Sequence, residues 1–301
     1  NGSSLGTKPA MYHPDRYSGT TDVLAVDKIW YQFPIGDNIT AWVGPKIENY
    51  YMYAAPVSLY KPASQKAFKL GGLSAAFGAS TATGVGVKYD VGNGFAFSTN
   101  VVSKGARGST NGFLTNQDTY KWDSMIAYTQ DQYHLSLSLS QQYNGWNSFS
   151  YYATNDAITL ASGHDGVNKP NGTAYALRSY WRPSESGTFV PEISAGFDSL
   201  NMDNNGANFS EATSYFIGFG WKDMFRAEDR IGLAYGSLLK PTAMGEGGTL
   251  PTLEPSLWEA YYSFMLNDSV QITPAVFGGN DVLSDAADDI FGGTLTAKFK
   301  F

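Results

Sequence analysis

The chain has 301 residues, 15% of them aromatic (18 Phe, 20 Tyr, 7 Trp), with 33 Gly, no Cys and a formal charge of −7. So many large apolar groups exclude a disordered chain, and the lack of Cys excludes a disulfide framework, a thiol nucleophile and a thiolate metal site. The acidic balance, with Lys and Arg dispersed singly, argues against a nucleic-acid backbone as partner, and the longest uncharged stretch, 70–87, is too rich in Gly, Ser, Thr and Ala to make a membrane-spanning helix.

Residues 1–23 carry no regular pattern, and the start at Asn1 is expected to follow a removed targeting segment. From there period-two alternation takes over. It runs through Leu24 to Phe33 and Asn38 to Ile47, then Val85, Val87 and Tyr89, then Phe95 and Phe97, then Ile126 and Tyr128. The clearest stretch sets Tyr133, Leu135, Leu137 and Leu139 against His134, Ser136, Ser138 and Ser140. Next come Tyr175, Leu177 and Trp181; Phe189, Ile193 and Phe197; Tyr215, Ile217, Phe219 and Trp221; and Ile231, Leu233 and Tyr235. Trp258, Ala260, Tyr262 and Phe264 follow, then Val270, Ile272, Pro274 and Val276, and finally Leu295, Ala297, Phe299 and Phe301, for thirteen predicted strands.

The links between them alternate in length. Residues 34–37, 90–94, 130–132, 182–188, 222–229 and 267–268 are short; 47–80, 103–119, 144–172, 201–211, 237–254 and 279–288 are long and polar. A soluble sandwich has no reason to gather its long loops at one end, whereas a transmembrane barrel does. Aromatic residues mark both strand ends. Phe33, Tyr89, Phe95, Tyr128, Tyr133, Trp181, Phe189, Trp221 and Phe301 flank the short turns, and Trp122, Tyr143, Trp146, Tyr215, Tyr235 and Trp258 lie toward the other side. Two such belts fit the interfaces of a bilayer. The expected fold is therefore all-β: a closed antiparallel transmembrane β-barrel over 24–301. An even strand number then requires at least one more strand, from residues 1–23 or from upstream sequence.

The ending Leu295 to Phe301 (LTAKFKF) resembles the C-terminal signal that bacterial barrel assembly machinery reads. The segment Val26 to Asp37 (VDKIWYQFPIGD) followed by Ile39 to Gly44 (ITAWVG) resembles a hairpin of cyanobacterial porins in the carbohydrate-selective OprB family. The resemblance implies an outer-membrane homotrimer of sixteen-stranded barrels passing small hydrophilic solutes, inorganic ions and sugars by diffusion, with no cofactor. Members of that family carry a cell-wall-binding domain ahead of the barrel, and no such domain is found here.

The link over 48–80 is similar in position and length to the porin loop that folds into the lumen. Tyr50, Tyr51, Tyr53, Tyr60, Lys61, Lys66 and Lys69 would then form a constriction, the alternative being an outer cap on the rim. Strand phase turns Lys28, Asp123, Arg178, Glu192, Arg230, Glu259, Lys298 and Lys300 to the lumen, either lining the pore or pairing with one another. Tyr180 and Tyr261, also inward, either stack on a sugar or fill space.

Catalysis has little support. His13, His134 and His164 are far apart, and the serines beside His134 are what a wetted barrel face carries. Asp281, Asp285, Asp288 and Asp289 crowd one outer link and read as solvated acids rather than a calcium site. The reading is a non-enzymatic porin of the bacterial outer membrane; the rival is a secreted β-rich glycan-binding protein.

Overall fold

The computed structural model describes residues 26–72, 76, 81–104, 112–146, 170–203, 209–252, 254–283 and 288–300. They form fourteen antiparallel strands in one sheet. The first seven are β1 (Ile29–Ile35), β2 (Ile39–Glu48), β3 (Thr81–Gly92), β4 (Phe95–Ser103), β5 (Tyr120–Thr129), β6 (Tyr133–Tyr143) and β7 (Gly172–Trp181). The rest are β8 (Glu192–Met202), β9 (Phe209–Lys222), β10 (Arg230–Gly236), β11 (Lys240–Met244), β12 (Ser256–Asn267), β13 (Val270–Leu283) and β14 (Asp288–Phe299). Thirteen follow one another as neighbours in an up-and-down meander, in the order of the thirteen predicted strands. Two 3-10 turns, Asn49–Met52 and Lys66–Gly71, complete the regular structure among the described residues.

Four boundaries depart from the sequence expectation. Strand β1 starts at Ile29 rather than Leu24, and β8 starts at Glu192, leaving Phe189 in the turn ahead of Pro191, a residue without the N–H that a ladder needs. The link over 237–254 contains β11. It forms because β9 outruns β10: pairing along β9 passes from Phe216 opposite Gly236 to Thr213 opposite Lys240. The last outer link shrinks to 284–287, since β13 and β14 stay paired as far as Leu283 opposite Asp288.

Because successive side chains leave a strand on opposite faces, the pairing register sorts residues into rows that cross the sheet. One row runs Tyr89, Phe97, Ile126, Leu137, Leu177, Phe197 and Tyr215 on β3 through β9. All seven are large and apolar, and all are 44–56% exposed on the outer face. The adjacent row, Lys88, Ser98, Met125, Ser138, Ala176, Asp198 and Ser214, is small or polar apart from Met125 and faces in. Its members from Ser98 to Ser214 are buried.

The inner face is covered by the link that leaves β2. Met52 reaches β3 and β4 at Gly86 and Asn100, Phe68 reaches β10 at Gly236, and Ser64 reaches β12 at Glu259. Strands so far apart in the sheet touch one short segment only because the sheet curls around it. The expected closure is not complete within the described residues: the sheet ends at β1 on one side and β14 on the other. Residues 1–23 and Phe301 lie outside the described residues, so the expectations placed on them do too. Trp146, expected in the outer aromatic belt, is instead buried beneath the Lys104 and Lys121 ammonium groups, 4.2 and 5.5 Å from its ring.

At the other end of the sheet tight turns join the strands. In the turn between β9 and β10 the buried Asp229 carboxylate accepts the N–H groups of Met224 (2.8 Å), Phe225 (3.0 Å) and Arg226 (3.1 Å) and the Tyr262 hydroxyl (3.0 Å). Burial works against its charge, but these donors outweigh that and hold the carboxyl below its ordinary value of 3.8. Asp229→Ala is expected to lower stability in urea at pH 7 by roughly 2 kcal/mol. A depressed folded pKa gives stability that is complete above the unfolded value and lost as pH falls through the folded one. Denaturation curves of variant and parent in detergent should therefore converge in acid.

Candidate functional site

The segment Asn49 to Gly72 carries Tyr, Met, Val, Phe and Leu together with three lysines and no carboxylate. Its apolar side chains need cover, and the inward rows provide it with small residues: Tyr53, Ala54 and Val57 pack with Ala96, Met125, Ala127, Ala174 and Ala176. Farther along, Tyr60, Ala67 and Phe68 pack with Phe216, Ala234 and Leu257. Three polar grips then fix the segment in place.

On β5, one oxygen of the Asp123 carboxylate lies 3.1 Å from Lys121 Nζ and accepts from Asn49 Nδ2 at 3.2 Å. The Tyr53 hydroxyl shares its proton between that oxygen (3.2 Å) and the Ala76 carbonyl (3.0 Å). On β7, the guanidinium of Arg178 donates to the carbonyls of Leu70 (2.9 Å) and Gly72 while pairing with Asp198 of β8 at 2.7 Å. On β12, Glu259 takes five donors from the segment: the Tyr60 hydroxyl and the Ser64 N–H and hydroxyl, each at 2.8 Å, the Gln65 N–H at 2.7 Å and the Ala63 N–H at 3.2 Å. Between the last two grips, Ser194 of β8 accepts the Leu59 N–H at 3.0 Å.

Backbone geometry at the Arg178 grip is tight. Leu70, Gly71 and Gly72 all have positive φ (57°, 72° and 102°), a conformation costly for leucine. Gly71 also approaches the wall so closely that a Cβ at Gly196 would lie 1.8 Å from its carbonyl oxygen. Only glycine fits at 196 with the segment docked.

The predicted wall residues fall into two groups. Asp123, Arg178, Glu259, Tyr180 and Tyr261 do face inward, but they are buried. The three charged ones hold the segment rather than line open water. Tyr180 stacks on His134 at 4.9 Å and 11°, and Tyr261 meets Tyr60 at 6.1 Å. The others lie at or beside strand ends. Glu192 pairs with Lys222 near the turns, Arg230 opens β10, and Lys28 precedes β1, where it lies 3.3 Å from Asp27 and 3.4 Å from Glu48. Lys298 and Lys300 are exposed at the end of the edge strand β14. Within the segment Tyr53 and Tyr60 are buried, whereas Tyr50, Tyr51, Lys66 and Lys69 are partly exposed and Lys61 is exposed. Lys69 Nζ sits 5.0 Å over the Tyr50 ring, and Tyr51 contacts Trp30 at 5.2 Å.

Sequence phase alone missed Lys121, Asp198 and Ser194 as partners of the segment. Each was readable as inward, two positions from another inward residue or next to an outward one, but nothing in the sequence said what it would meet. It also missed a cavity of about 360 Å³ between the segment and the β1 to β3 wall, bounded by Gln32, Thr40, Trp42 and Lys88 on one side and Tyr50, Tyr51 and Leu70 on the other. Toward the turns lie two wider cavities, about 730 and 610 Å³, that share Asp131 and Arg182.

Among the described residues no group of three or more His, Asp or Glu side chains could hold a metal. Asp281 accepts the Glu254 N–H at 3.2 Å; Asp285, the Asp288 side chain, His13 and His164 lie outside the described residues. His134 is buried in a chain of contacts, 2.7 Å from Thr129 Oγ1 and 2.9 Å from Ser136 Oγ.

No protein-family model and no curated protein matches the chain. Among solved structures it is similar to a Pseudomonas aeruginosa FadL homologue, with 12% identity over 89% of this chain and 74% of that one and a TM-score of 0.35.

The grips lead to a direct expectation. Removing one partner of a buried pair strands the other charge, at a cost of about 3–5 kcal/mol. Arg178→Met should therefore lower the denaturation midpoint and open Lys66 and Lys69, both partly buried in the parent, to trypsin in the detergent-solubilised protein. Gly196→Val should produce the same cleavage pattern by steric exclusion.

Proposed function

We propose that the chain is a porin of the bacterial outer membrane, a β-barrel wall around a partly filled lumen through which small hydrophilic solutes and ions diffuse down their gradients. The observation that carries this reading is the outward row of seven exposed apolar side chains from Tyr89 to Tyr215, set against an adjacent inward row that is small or polar apart from Met125. A contiguous apolar surface of that kind has no place in water. In hydrocarbon it is the expected arrangement. Strands of mostly 9–14 residues are long enough to cross tilted.

Backbone groups cannot find partners in lipid, so the reading requires the β1 and β14 edges to be satisfied by closure of the wall. The hairpin resemblance to OprB-like cyanobacterial porins supports a diffusion channel over an active transporter, and it extends the proposal to a homotrimer inserted by the barrel assembly machinery. A soluble glycan-binding protein would instead have buried Leu135 and Leu137, both of which are exposed.

The purified protein should partition into detergent and give stepwise conductance in planar bilayers; a water-soluble protein that leaves the bilayer silent would overturn the proposal. On the outer face, Leu137→Arg should cost about 2–4 kcal/mol of stability in lipid, seen as a smaller folded fraction by heat-modifiable gel mobility. Replacing residues 53–69 by a short Gly-Ser linker should raise unit conductance, and an unchanged value would remove the segment from the conducting path.

A further inference from the structure

Resting on the porin reading, we propose that the lumen selects small inorganic anions over cations, in the gap between the 49–72 segment and the β1 to β3 wall. The chain as a whole is acidic, at −7, so this runs against the bulk charge.

The first support is the state of the carboxylates that face the segment. Asp123 is held by Lys121, Asn49 and Tyr53; Asp198 by Arg178; Glu259 by five donors; Glu48 by Lys28 and the Thr81 hydroxyl at 3.0 Å. All four are buried. None presents its charge to a passing ion.

The cations are less buried. Lys66 and Lys69 are both partly exposed, on a turn whose backbone leaves helical geometry at Lys69 (φ −63°, ψ 145°). Ala67, Phe68 and Gly71 are the buried side of that turn. Lys69 reaches the Tyr50 hydroxyl at 3.3 Å, and Tyr50 and Leu70 border the 360 Å³ cavity. From the wall Lys88 faces into the same cavity, 4.0 Å from an Asp90 that is itself exposed. The described residues that bound this cavity include no carboxylate. Burial depresses the Lys69 ammonium, Glu48 offsets part of that, and Lys66, Lys28 and Lys61 depress it further, which places Lys61, Lys66 and Lys69 within electrostatic reach of one another, Lys28 being already paired with Glu48.

A passage bordered by net positive charge raises the barrier for cations more than it does for anions. The opposing field comes from the turn-side mouth, where Asp131, Glu185, Glu192 and Asp223 outnumber Arg182 and Lys222. The cavity there is larger, at about 730 Å³. Its charges act through water and fall off within a Debye length of about 8–10 Å in physiological salt. The barrier is therefore set at the segment.

The test is the zero-current potential of the full-length protein in planar bilayers under a potassium chloride gradient. The expected value lies on the chloride side of zero. Lys88→Gln should reduce the chloride-to-potassium permeability ratio, by roughly half, and Lys66→Glu combined with Lys69→Glu should carry the potential to the potassium side. Steps with a potassium-side potential in the parent protein overturn the anion assignment and leave the porin reading standing. A chloride-side potential that none of these substitutions moves also overturns it, because the selectivity then lies elsewhere. A bilayer with no steps overturns both.

Discussion

A β-strand sends consecutive side chains to opposite faces, and almost everything else in this molecule follows from how strictly its sequence respects that rule. Outward positions from β3 to β9 are filled mainly by rings and branched aliphatics; inward positions hold mostly Ser, Ala and Gly, with paired charges and a few large groups such as Met125, Leu200 and Phe216. A single-residue slip in any pairing would exchange the two sets. The register is thus fixed by the mismatch between two solvents rather than by any single contact.

The inward side shows what such a wall can hold. Polar atoms there, among them Ser98 Oγ, Ser138 Oγ and the Asn100 amide, are buried with no hydrogen-bond partner among the described residues. The segment after β2 covers much of this face. Buried pairs such as Lys121 with Asp123 and Arg178 with Asp198 are weak evidence for stability, since desolvation consumes much of the attraction. Their value lies in direction: each can be satisfied by one placement of the segment and by few others. Small inward residues matter equally, for a Cβ at Gly196 would close the space that Gly71 occupies.

The strands were legible because alternation is a local property of the chain. Leu135 and Leu137 are outward, and Ser136 and Ser138 inward, as their phase requires. Asp123, Arg178 and Glu259 were likewise readable as inward, but their surroundings were not. Phase says which face a side chain leaves from; it does not say whether water or protein waits there. That answer came from contacts spanning 70 to 199 residues, such as Tyr53 with Asp123 and Tyr60 with Glu259, which no local pattern encodes. Trp146 failed for the same reason, since a tryptophan near a strand end looks alike whether it meets an interface or a pair of lysines. Strand ends shifted where other rules compete with alternation, as at Pro191.

The grip of Glu259 on Ser64 joins residues 195 positions apart, so one side of it emerges long after the other. Loop-closure entropy makes such a contact slow to form. The stretch from Tyr60 to Gln65 therefore cannot be gripped before β12 is in place, whereas Asp123 on β5 and Arg178 on β7, which come earlier in the chain, can already hold the segment's two ends.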